Sequence, residues 1–285
     1  MIQLSNGHSF EFSVASGALA FDGRGWPWEW PLRWTGLIQP ELFTVVAKSL
    51  TLHPRRGNLR WSHPWSCVRS LKNGSVNAIG LTNPGIDAWI EKIYPQIIKR
   101  PWSMVASIAG ESLQENCEMA IKLRHCTALK ALEINASCPN SPGELQSNAA
   151  TVIDTCKVIR QSVALPIFVK LSVTQDYLKI AKALEGVVEA ISLNSVPWSV
   201  VFPDRVSPLA QFGGGGVSGK LAQRFTWKMI EELSKQTSIP VIGASVWDFE
   251  DIEKLFQLGA KAIAFGSIFL SHPCRPTAYV KRWRH

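Results

Sequence analysis

Leu129-Lys130-Ala131-Leu132-Glu133-Ile134-Asn135-Ala136-Ser137-Cys138-Pro139-Asn140 begins as an apolar run and ends as a polar turn. The short apolar run is typical of a strand that is covered on both faces. Pro139 cannot extend a central strand, so the chain leaves the sheet there. Cys138 lies between the amides of Asn135 and Asn140, and a thiol can accept a proton. The stretch therefore predicts either a functional site at the carboxyl end of a strand or an ordinary turn with a buried cysteine.

Apolar runs of this kind recur along the chain and alternate with amphipathic helical segments. The runs are residues 12–15, 44–47, 103–108, 129–135, 167–169, 188–193, 241–242 and 262–265. The helical segments include residues 113–126, 149–162, 177–184, 222–236 and 249–258. Eight strands alternating with helices predict an α/β fold, a (β/α)8 TIM barrel, with a doubly wound sheet as the alternative.

The chain is long enough for one such domain, and we expect residues 1–285 to form a single barrel domain with inserted loops at its C-terminal face. Asn6-Gly7, between residues of alternating polarity, predicts a hairpin over residues 2–12 at the opposite end.

The cysteines, the apolar runs and the net charge limit the kind of protein that this chain can be. The six cysteines form no C-x-x-C pair and have no regular spacing, which argues against a metal site or a disulfide framework and fits a reducing compartment. No signal segment and no apolar run of membrane-spanning length is evident, so we expect a cytoplasmic protein. The net charge of +8 raises the possibility of nucleic-acid binding, but no nucleic-acid motif accompanies it. A solvated basic surface that attracts small anions is the favoured interpretation.

The residues at the predicted strand ends are polar or small. They are Ser16, Lys48, Ser107, Asn135, Lys170, Asn194 with Ser195, Gly243 and Gly266. Because active sites of such barrels lie at the carboxyl ends of the strands, these side chains are expected to share one site. Lys48 and Lys170 indicate either anion binding or a nucleophilic amine.

Glycines in the last third of the chain suggest a phosphate site. Residues 213–216 are four consecutive glycines, followed by Gly219 and a helical segment, while Gly243 and Gly266-Ser267 end the last two strands. Barrels often hold a phosphate in the loops after strands seven and eight, where glycines let backbone N–H groups approach its oxygens. A phosphate-bearing cofactor is therefore predicted, and a flexible loop is the alternative.

With these residues in view, the chain resembles the dihydroorotate dehydrogenases of the soluble class, which use a cysteine base. The resemblance runs from about residue 13 to residue 276. It is carried by segments 15–17, 48–49, 56–58, 77–85, 135–140, 169–171, 194–195 and 215–219.

The resemblance implies oxidation of dihydroorotate to orotate, in pyrimidine biosynthesis, with FMN as cofactor. Cys138 would be the catalytic base, and Lys48 and Lys170 would also take part in catalysis. The substrate would be bound by Lys48, Asn77, Ile79, Gly80, Leu81, Asn135, Asn140, Asn194 and Ser195. The cofactor would be bound by Ala15, Ser16, Gly17, Lys48, Ser49, Asn135, Lys170, Gly219, Gly243, Ala244, Gly266 and Ser267. Residues 141–148 would be a lid over the substrate.

Departures from the family pattern follow the seventh strand and Asn194-Ser195. Where the family usually has two glycines against the FMN phosphate, this chain reads Gly243-Ala244-Ser245. Either the phosphate is crowded there, or Ser245 donates a hydroxyl to it. An aromatic residue, Trp198, follows Asn194-Ser195, so a related dihydropyrimidine is an alternative substrate. The family includes homodimers that reduce fumarate and enzymes that pair with an FAD and iron–sulfur subunit to reduce NAD, and either assembly is open here.

Residues 26–34, WPWEWPLRW, contain four tryptophans and two prolines. This Trp-rich loop is not expected to form a regular element, and it follows the first strand on the active-site side. It is either packed on the barrel or covered by a second subunit or redox partner. Two other functions remain open: a lyase or aldolase that uses Lys170 as a Schiff-base amine, and a non-catalytic binding barrel.

Overall fold

The computed structural model describes residues 1–60, 62–136 and 148–285 of the chain. Its strands are β1 (Ile2–Gln3), β2 (Ser9–Phe10), β3 (Phe12–Val14), β4 (Thr44–Val46), β5 (Val68–Leu71), β6 (Gly74–Asn77), β7 (Ser103–Ile108), β8 (Leu129–Asn135), β9 (Ile167–Leu171), β10 (Ala190–Leu193), β11 (Val196–Pro197), β12 (Gly216–Gly219), β13 (Ile242–Gly243) and β14 (Ala262–Phe265). Its α-helices are α1 (Trp30–Trp34), α2 (Ile86–Ala88), α3 (Tyr94–Ile97), α4 (Leu113–Leu123), α5 (Ala149–Ser162), α6 (Tyr177–Ala183), α7 (Trp198–Val201), α8 (Gln223–Gln236), α9 (Asp251–Gln257), α10 (Ile268–Ser271) and α11 (Arg275–Trp283).

Eight parallel strands form the barrel that the sequence predicts. They are hydrogen-bonded in the order β10-β9-β8-β7-β4-β3-β14-β13, and a parallel bridge between Ile191 and Val241 joins the two ends of this sheet. The barrel strands therefore follow one another around the circle in chain order, as right-handed βα units require. The TIM-barrel prediction is confirmed, and the doubly wound alternative is wrong.

The amino-terminal hairpin closes the bottom of the barrel. β1 and β2 pair in antiparallel register, and Gly7 at the turn has the left-handed φ of +83° that this turn needs. Ile2 and Phe10 are buried with Phe168 and other inward-facing strand residues in one apolar cluster. The cluster fills the lower half of the barrel, so the cavity described below is confined to the upper end.

Three of the outer helices begin where a side chain caps them. Ser112 caps α4 by accepting a hydrogen bond from the Glu115 backbone N–H at 3.1 Å, and Asn148 and Asp176 cap α5 and α6 in the same way. Their apolar faces pack against the outer faces of the strands in the main core of the protein. These three helices begin at the residues that the sequence predicts, because each has both a capping side chain and an apolar face, whereas α8 and α9 begin without a side-chain cap.

An antiparallel sheet covers one side of the barrel mouth, and the sequence did not predict it. Its order is β11-β12-β6-β5, so the chain segment that follows β4 pairs with the chain segment that follows β10. We call it the mouth sheet. Residues 216–219, expected to be part of a phosphate loop, form β12 and pair with Gly74–Asn77. A Cβ on Gly216 would lie 2.1 Å from Ser195 Oγ, and one on Gly215 would lie 2.6 Å from the Asn77 carbonyl oxygen. The glycine run thus allows close packing of strands and neighbouring side chains, which is a correction to the loop interpretation.

The Trp-rich loop, residues 26–34, is also more regular than expected. Pro27–Glu29 is a 3₁₀ turn that leads directly into α1. Each proline lies at the first or second position of its turn, where the missing N–H has no partner within the helix in any case. The expectation that this segment would be irregular is therefore wrong. Among the described residues, no helix is long and apolar enough to cross a membrane.

Candidate active site

A cavity of about 310 Å³ opens at the C-terminal face of the barrel. This volume lies within the usual range for small-molecule sites. Most of the predicted site residues line it, from strands that are far apart in sequence: Ala15, Ser16, Gly17, Lys48, Ser49, Asn77, Ile79, Gly80, Leu81, Asn135, Lys170, Asn194, Ser195, Gly219, Ala244, Gly266 and Ser267. The fold thus gathers the polar strand ends around one space.

Three predicted site residues are not placed in the cavity wall. Gly243 is buried behind it, where a Cβ would lie 3.0 Å from Ile263 and 3.2 Å from Ala260, so its lack of a side chain serves the packing of β13. Cys138 and Asn140 lie outside the described residues, as do residues 141–147 of the predicted lid, whereas its last residue, Asn148, caps α5. Their roles remain predictions.

The floor of the cavity is built around a buried carboxylate that sequence reasoning did not single out. Glu133 is 1% exposed, and its Oε1 accepts hydrogen bonds from Lys170 Nζ at 3.1 Å and from Ser107 Oγ at 2.9 Å. Its Oε2 accepts a hydrogen bond from Ser192 Oγ at 2.7 Å. Four strands therefore contribute to one hydrogen-bonded cluster, in which the Lys170 ammonium is paired with a carboxylate and held in place.

A row of hydroxyl groups continues from this cluster towards the first strand. Ser107 Oγ is 2.9 Å from Ser49 Oγ, which in turn is 3.1 Å from Ser16 Oγ. The Asn135 amide donates to Ser49 Oγ at 3.0 Å. Because buried polar groups that are fully hydrogen-bonded become rigid, these residues form a fixed polar floor rather than adaptable side chains.

The wall from Asn77 to Leu81 is held in an unusual backbone conformation. Gly80 and Leu81 both have positive φ angles, +69° and +56°. For a leucine this conformation is strained, and such strain persists where the surroundings impose it. The Asn58 amide donates to the Ala78 carbonyl at 2.8 Å, and the Asn83 amide donates to the Leu81 carbonyl at 2.7 Å. The backbone of this segment is thus presented to the cavity in one fixed arrangement.

Asn194 and Ser195 complete the opposite wall after β10. The Asn194 side-chain oxygen accepts a hydrogen bond from the Ser195 backbone N–H at 2.9 Å, which fixes the orientation of the amide. Ser195 packs directly on Gly216 of the mouth sheet.

The loop after β13 contains the departure from the family pattern. Ser245 lines the cavity with a left-handed φ of +67°, a conformation that glycine adopts without strain and serine does not. Its Oγ accepts a hydrogen bond from Thr226 Oγ1 at 3.0 Å, and its carbonyl accepts one from the Gln223 amide at 3.0 Å. The side chain and the backbone of Ser245 are thus both hydrogen-bonded to α8 beside the cavity.

The Trp-rich loop contributes Trp26, Trp28 and Glu29 to the cavity wall, so its expected position on the active-site side is confirmed. The Trp26 indole N–H donates to the Gly17 carbonyl at 3.1 Å. Glu29 is 3% exposed, and its carboxylate accepts a hydrogen bond from the Trp26 backbone N–H at 2.7 Å. Burial raises the pKa of Glu29 from 4.5 to about 7, although that hydrogen bond opposes the rise.

Comparison with known proteins assigns this arrangement to a family. A family model described as dihydroorotate dehydrogenase matches residues 36–275. The chain belongs to the dihydroorotate dehydrogenase family. It is 35% identical over 238 residues to the dihydroorotate dehydrogenase A (fumarate) of Lactobacillus delbrueckii subsp. bulgaricus, covering 80% of this chain and 75% of that protein.

A second relative and a solved structure are also similar to this chain. The dihydroorotate dehydrogenase B (NAD(+)) catalytic subunit of Geobacillus kaustophilus is 32% identical over 236 residues, covering 79% of this chain and 73% of that protein. The crystal structure of a ligand-free dihydroorotate dehydrogenase from Eimeria tenella has a TM-score of 0.66 at 16% identity, over 84% of this chain and 76% of that chain. At this identity the structural match supports the barrel fold alone.

The residues of the cavity fit FMN, the cofactor of dihydroorotate dehydrogenases. Small residues on β3 and its loop keep the space beside Lys48 open, since a Cβ on Gly17 would already lie 3.3 Å from the lysine side chain. Hydroxyls of Ser245 and Ser267 lie where barrels commonly hold a phosphate, and the Lys170 ammonium faces the same space. The donor set therefore matches a ring that becomes anionic and a phosphate-bearing tail.

Glu133, Ser192 and Glu29 are the site residues that sequence reasoning missed. Glu133 could have been found from the period of the strand, because it lies two residues before Asn135 and so on the same face of β8. Ser192 likewise lies two residues before Asn194, so the same period could have indicated it. Glu29 had no comparable signal, since its burial depends on how the Trp-rich loop packs.

Proposed function

We propose that this protein oxidises dihydroorotate to orotate in pyrimidine biosynthesis, with FMN as its bound cofactor. The observation that carries the proposal is the set of two ammonium and three carboxamide groups around one cavity, in a chain of the dihydroorotate dehydrogenase family: Lys48, Lys170, Asn77, Asn135 and Asn194. Carboxamides match the alternating N–H and C=O groups of a pyrimidine ring, and ammonium groups match its carboxylate and the negative charge that forms during oxidation.

The residues proposed to bind substrate have distinct tasks. Lys48, 7% exposed, would pair with the substrate carboxylate together with backbone N–H groups between Ile79 and Leu81. Asn77, Asn135 and Asn194 would hold the two amide-like edges of the ring. Because the amides of Asn135 and Asn194 are hydrogen-bonded to Ser49 and Ser195, little of their conformational freedom is lost when the substrate binds.

Proton transfer is assigned to Cys138, which would remove the proton from C5 of dihydroorotate. Its place in the sequence between Asn135 and Asn140 supports this role, although it lies outside the described residues. The chemistry that bound FMN would supply is that of an acceptor for the hydride from C6 of the substrate. Lys170 would offset the negative charge that develops, and Glu133 would keep its ammonium directed into the cavity.

A Schiff-base aldolase is a weaker candidate, because Lys170 is held in an ion pair with Glu133 at 3.1 Å. A Schiff-base lysine must present a free amine, which is usually achieved by apolar surroundings or a neighbouring cation. A related dihydropyrimidine that lacks the carboxylate would leave Lys48 without its proposed partner.

We further propose that residues 1–285 act as one FMN-binding domain, since the barrel strands extend from Phe12 to Phe265. The assembly is proposed to be a homodimer, as in the fumarate-reducing enzymes, with an FAD and iron–sulfur subunit as the alternative. A cytoplasmic location remains a prediction from the cysteine pattern.

The test is substrate discrimination at the carboxylate. FMN-loaded protein should form orotate from dihydroorotate, detected by its ultraviolet absorbance, and should turn over dihydrouracil far more slowly. Lys48→Met should lose a much larger fraction of its activity on dihydroorotate than on dihydrouracil, because only dihydroorotate has the carboxylate. Equal turnover of the two substrates by the wild type would contradict the assignment of dihydroorotate and favour another dihydropyrimidine.

A further inference from the structure

Glu29 is a carboxyl group that is built rigidly into the wall of the cavity. It ends the 3₁₀ turn Pro27–Glu29, and its Oε2 atom reaches back to accept a hydrogen bond from the Trp26 backbone N–H at 2.7 Å. A Cβ on Gly25 would lie 2.7 Å from the same oxygen, so the glycine leaves room for the carboxyl group. Trp26 is fixed in turn, because its indole N–H donates to the Gly17 carbonyl. The Glu29 side chain is therefore held in one position beside the cavity.

Glu29 differs from the three other carboxyl groups that are buried in the described part of the chain. Asp22 and Glu133 are each paired with a basic side chain, and Asp251 accepts three hydrogen bonds. Glu29 is 3% exposed, yet within the described residues its one hydrogen-bond donor is the Trp26 N–H and no cation is paired with it. Because a buried carboxylate without a compensating charge is costly, such a group in the wall of a cleft is a candidate for function.

The protonation of Glu29 decides the charge of the cavity wall. Among the described residues, four ionisable side chains line the cavity: Glu29, Lys48, Glu133 and Lys170. Glu133 and Lys170 are paired at 3.1 Å, so their charges cancel. Lys48 adds one positive charge, and the formal charge of these four groups is therefore +1 when Glu29 is neutral and zero when Glu29 is ionised.

Titratable and charged groups lie on every element around Glu29. They are Asp22, Arg24 and Arg33 on its own loop and helix, Lys48 beyond Gly17, Arg60, Cys67 and Arg69 on the segment whose Trp65 packs on Trp28, and Lys170 with Glu133 across the cavity. None of them causes the rise in the pKa of Glu29, which comes from burial and is opposed by the Trp26 N–H. The ionisation of Glu29 therefore depends on how well its surroundings are hydrated, and a charged ligand in the same cavity would add directly to that effect.

The ligands of the proposed function bring negative charge into this cavity. The carboxylate of dihydroorotate or orotate adds one negative charge, and reduction of the flavin ring adds negative charge beside it. Like charges in a poorly hydrated cavity repel each other more strongly than in water. An ionised Glu29 would therefore weaken binding of the anion, whereas a neutral Glu29 would not oppose its attraction to Lys48. By linkage, the bound anion must raise the affinity of Glu29 for a proton by the same factor.

We propose that Glu29 sets the charge of the cavity for recognition of an anionic pyrimidine. The anion binds to the protein with Glu29 neutral, and where Glu29 is ionised it takes up one proton from solvent as the anion binds. This proton converts the carboxylate to the carboxylic acid and returns to solvent when the anion leaves. This inference rests on the proposed function. A pyrimidine without a carboxylate has no such linkage, so Glu29 makes the preference for anionic over neutral ligands depend on pH.

The test measures binding of orotate and of uracil to FMN-loaded protein, from the change in flavin absorbance. The parent protein and its variants all carry Cys138→Ala, because that thiol is proposed to lie at the substrate and its own titration would add to the signal. Orotate should bind about tenfold more weakly at about pH 8.5 than at about pH 6, because Glu29, with a pKa of about 7, is ionised in the unliganded protein at the higher pH. Uracil should bind equally well at both pH values. Glu29→Gln, which cannot ionise, should bind orotate at both pH values as tightly as the parent protein does at the lower pH.

Proton uptake gives a second readout, which does not depend on activity. Calorimetric titration with orotate at about pH 7.5, in two buffers of different ionisation enthalpy, should show uptake of roughly half a proton per orotate in the parent protein and none in Glu29→Gln. The matched control is Glu253→Gln, which makes the same change in net charge at an exposed position of α9 outside the cavity lining. This control should keep the pH dependence and the proton uptake of the parent protein. Where Glu29→Gln does not fold, proton uptake by the parent protein, compared between orotate and uracil, provides the same test.

The failure of this inference can be told apart from the failure of the proposed function. An orotate affinity that does not change with pH would overturn the role of Glu29 and leave the proposed function intact. A pH dependence or proton uptake that persists in Glu29→Gln would also overturn it, because another group would then be taking up the proton. Uracil binding without orotate binding, at every pH in this range, would instead overturn the proposed function and with it this inference.

Discussion

The pairing of Glu133 with Lys170 can be tested through the stability of the protein. In Glu133→Gln one carboxylate oxygen becomes an NH₂ group, so either Lys170 or Ser192 meets a donor instead of an acceptor. The Lys170 ammonium, 7% exposed, is then buried without a counter-charge. Removing one partner of a buried ion pair costs about 3–5 kcal/mol, a large part of the 5–15 kcal/mol that typically stabilises a domain.

The assay is urea unfolding at neutral pH, followed by tryptophan fluorescence, of the wild type, Glu133→Gln, Lys170→Met and the double variant. Glu133→Gln should lower the unfolding midpoint with an unchanged slope. The double variant should be more stable than Glu133→Gln alone, because it no longer buries an unpaired ammonium. A loss below about 1 kcal/mol in Glu133→Gln, or losses that simply add in the double variant, would refute the idea that the carboxylate holds the lysine.

Three further perturbations address the base, the buried carboxyl of the Trp-rich loop and the strained serine. Cys138→Ala should keep FMN bound and lose about 10²–10⁴-fold in turnover, measured as orotate formation, because a general base is removed. Glu29 has a raised pKa of about 7 in the folded state, so its ionisation destabilises the fold as pH rises from 4.5 to about 7. Glu29→Gln should therefore gain up to about 3 kcal/mol over wild type at pH 8 relative to pH 4.5, measured by unfolding at both pH values. Ser245→Gly should raise thermal stability by relieving the positive φ, and should weaken FMN binding while leaving riboflavin binding unchanged, because only FMN carries the phosphate.

Each of these has a result that counts against it. Turnover of Cys138→Ala within a few-fold of wild type would remove Cys138 from the mechanism. A stability difference between Glu29→Gln and wild type that does not change with pH would mean that Glu29 does not titrate in this range. Equal loss of FMN and riboflavin affinity in Ser245→Gly would show that the serine supports the ring or the loop and not the phosphate.

The barrel could be predicted because its signals are local. Each strand is a short apolar run, and helices such as α5 carry a cap, Asn148, directly before an apolar periodic segment. The strand order of the barrel then follows from connection rules. The lining of the cavity could likewise be predicted in outline, since polar residues at the ends of parallel strands such as Lys48 and Lys170 must meet at one face.

The antiparallel sheet at the barrel mouth could not be predicted, because its strands are two to four residues long and its two halves, β5-β6 and β11-β12, pair across more than a hundred positions, as Asn77 does with Gly216. The glycines that looked like a phosphate loop are needed there for close strand contact. The role of Gly243 could not be predicted for the same reason. A glycine at a strand end can serve either close packing or the approach of a ligand, and the sequence does not show which residues lie next to it. In the structure they are Ile263 and Ala260, so Gly243 serves packing. The partners of Glu133 come from three other strands, which only the closed barrel brings together.

Anaerobic reduction of the FMN-loaded protein by dihydroorotate tests the central claim most directly. The yellow absorbance of the bound flavin should bleach as dihydroorotate is added, with one orotate formed for each flavin reduced. Chromatography of the products should show orotate and no other pyrimidine. A flavin that stays oxidised in the presence of excess dihydroorotate, while dithionite reduces it fully, would contradict the assignment of this protein as a dihydroorotate-oxidising enzyme.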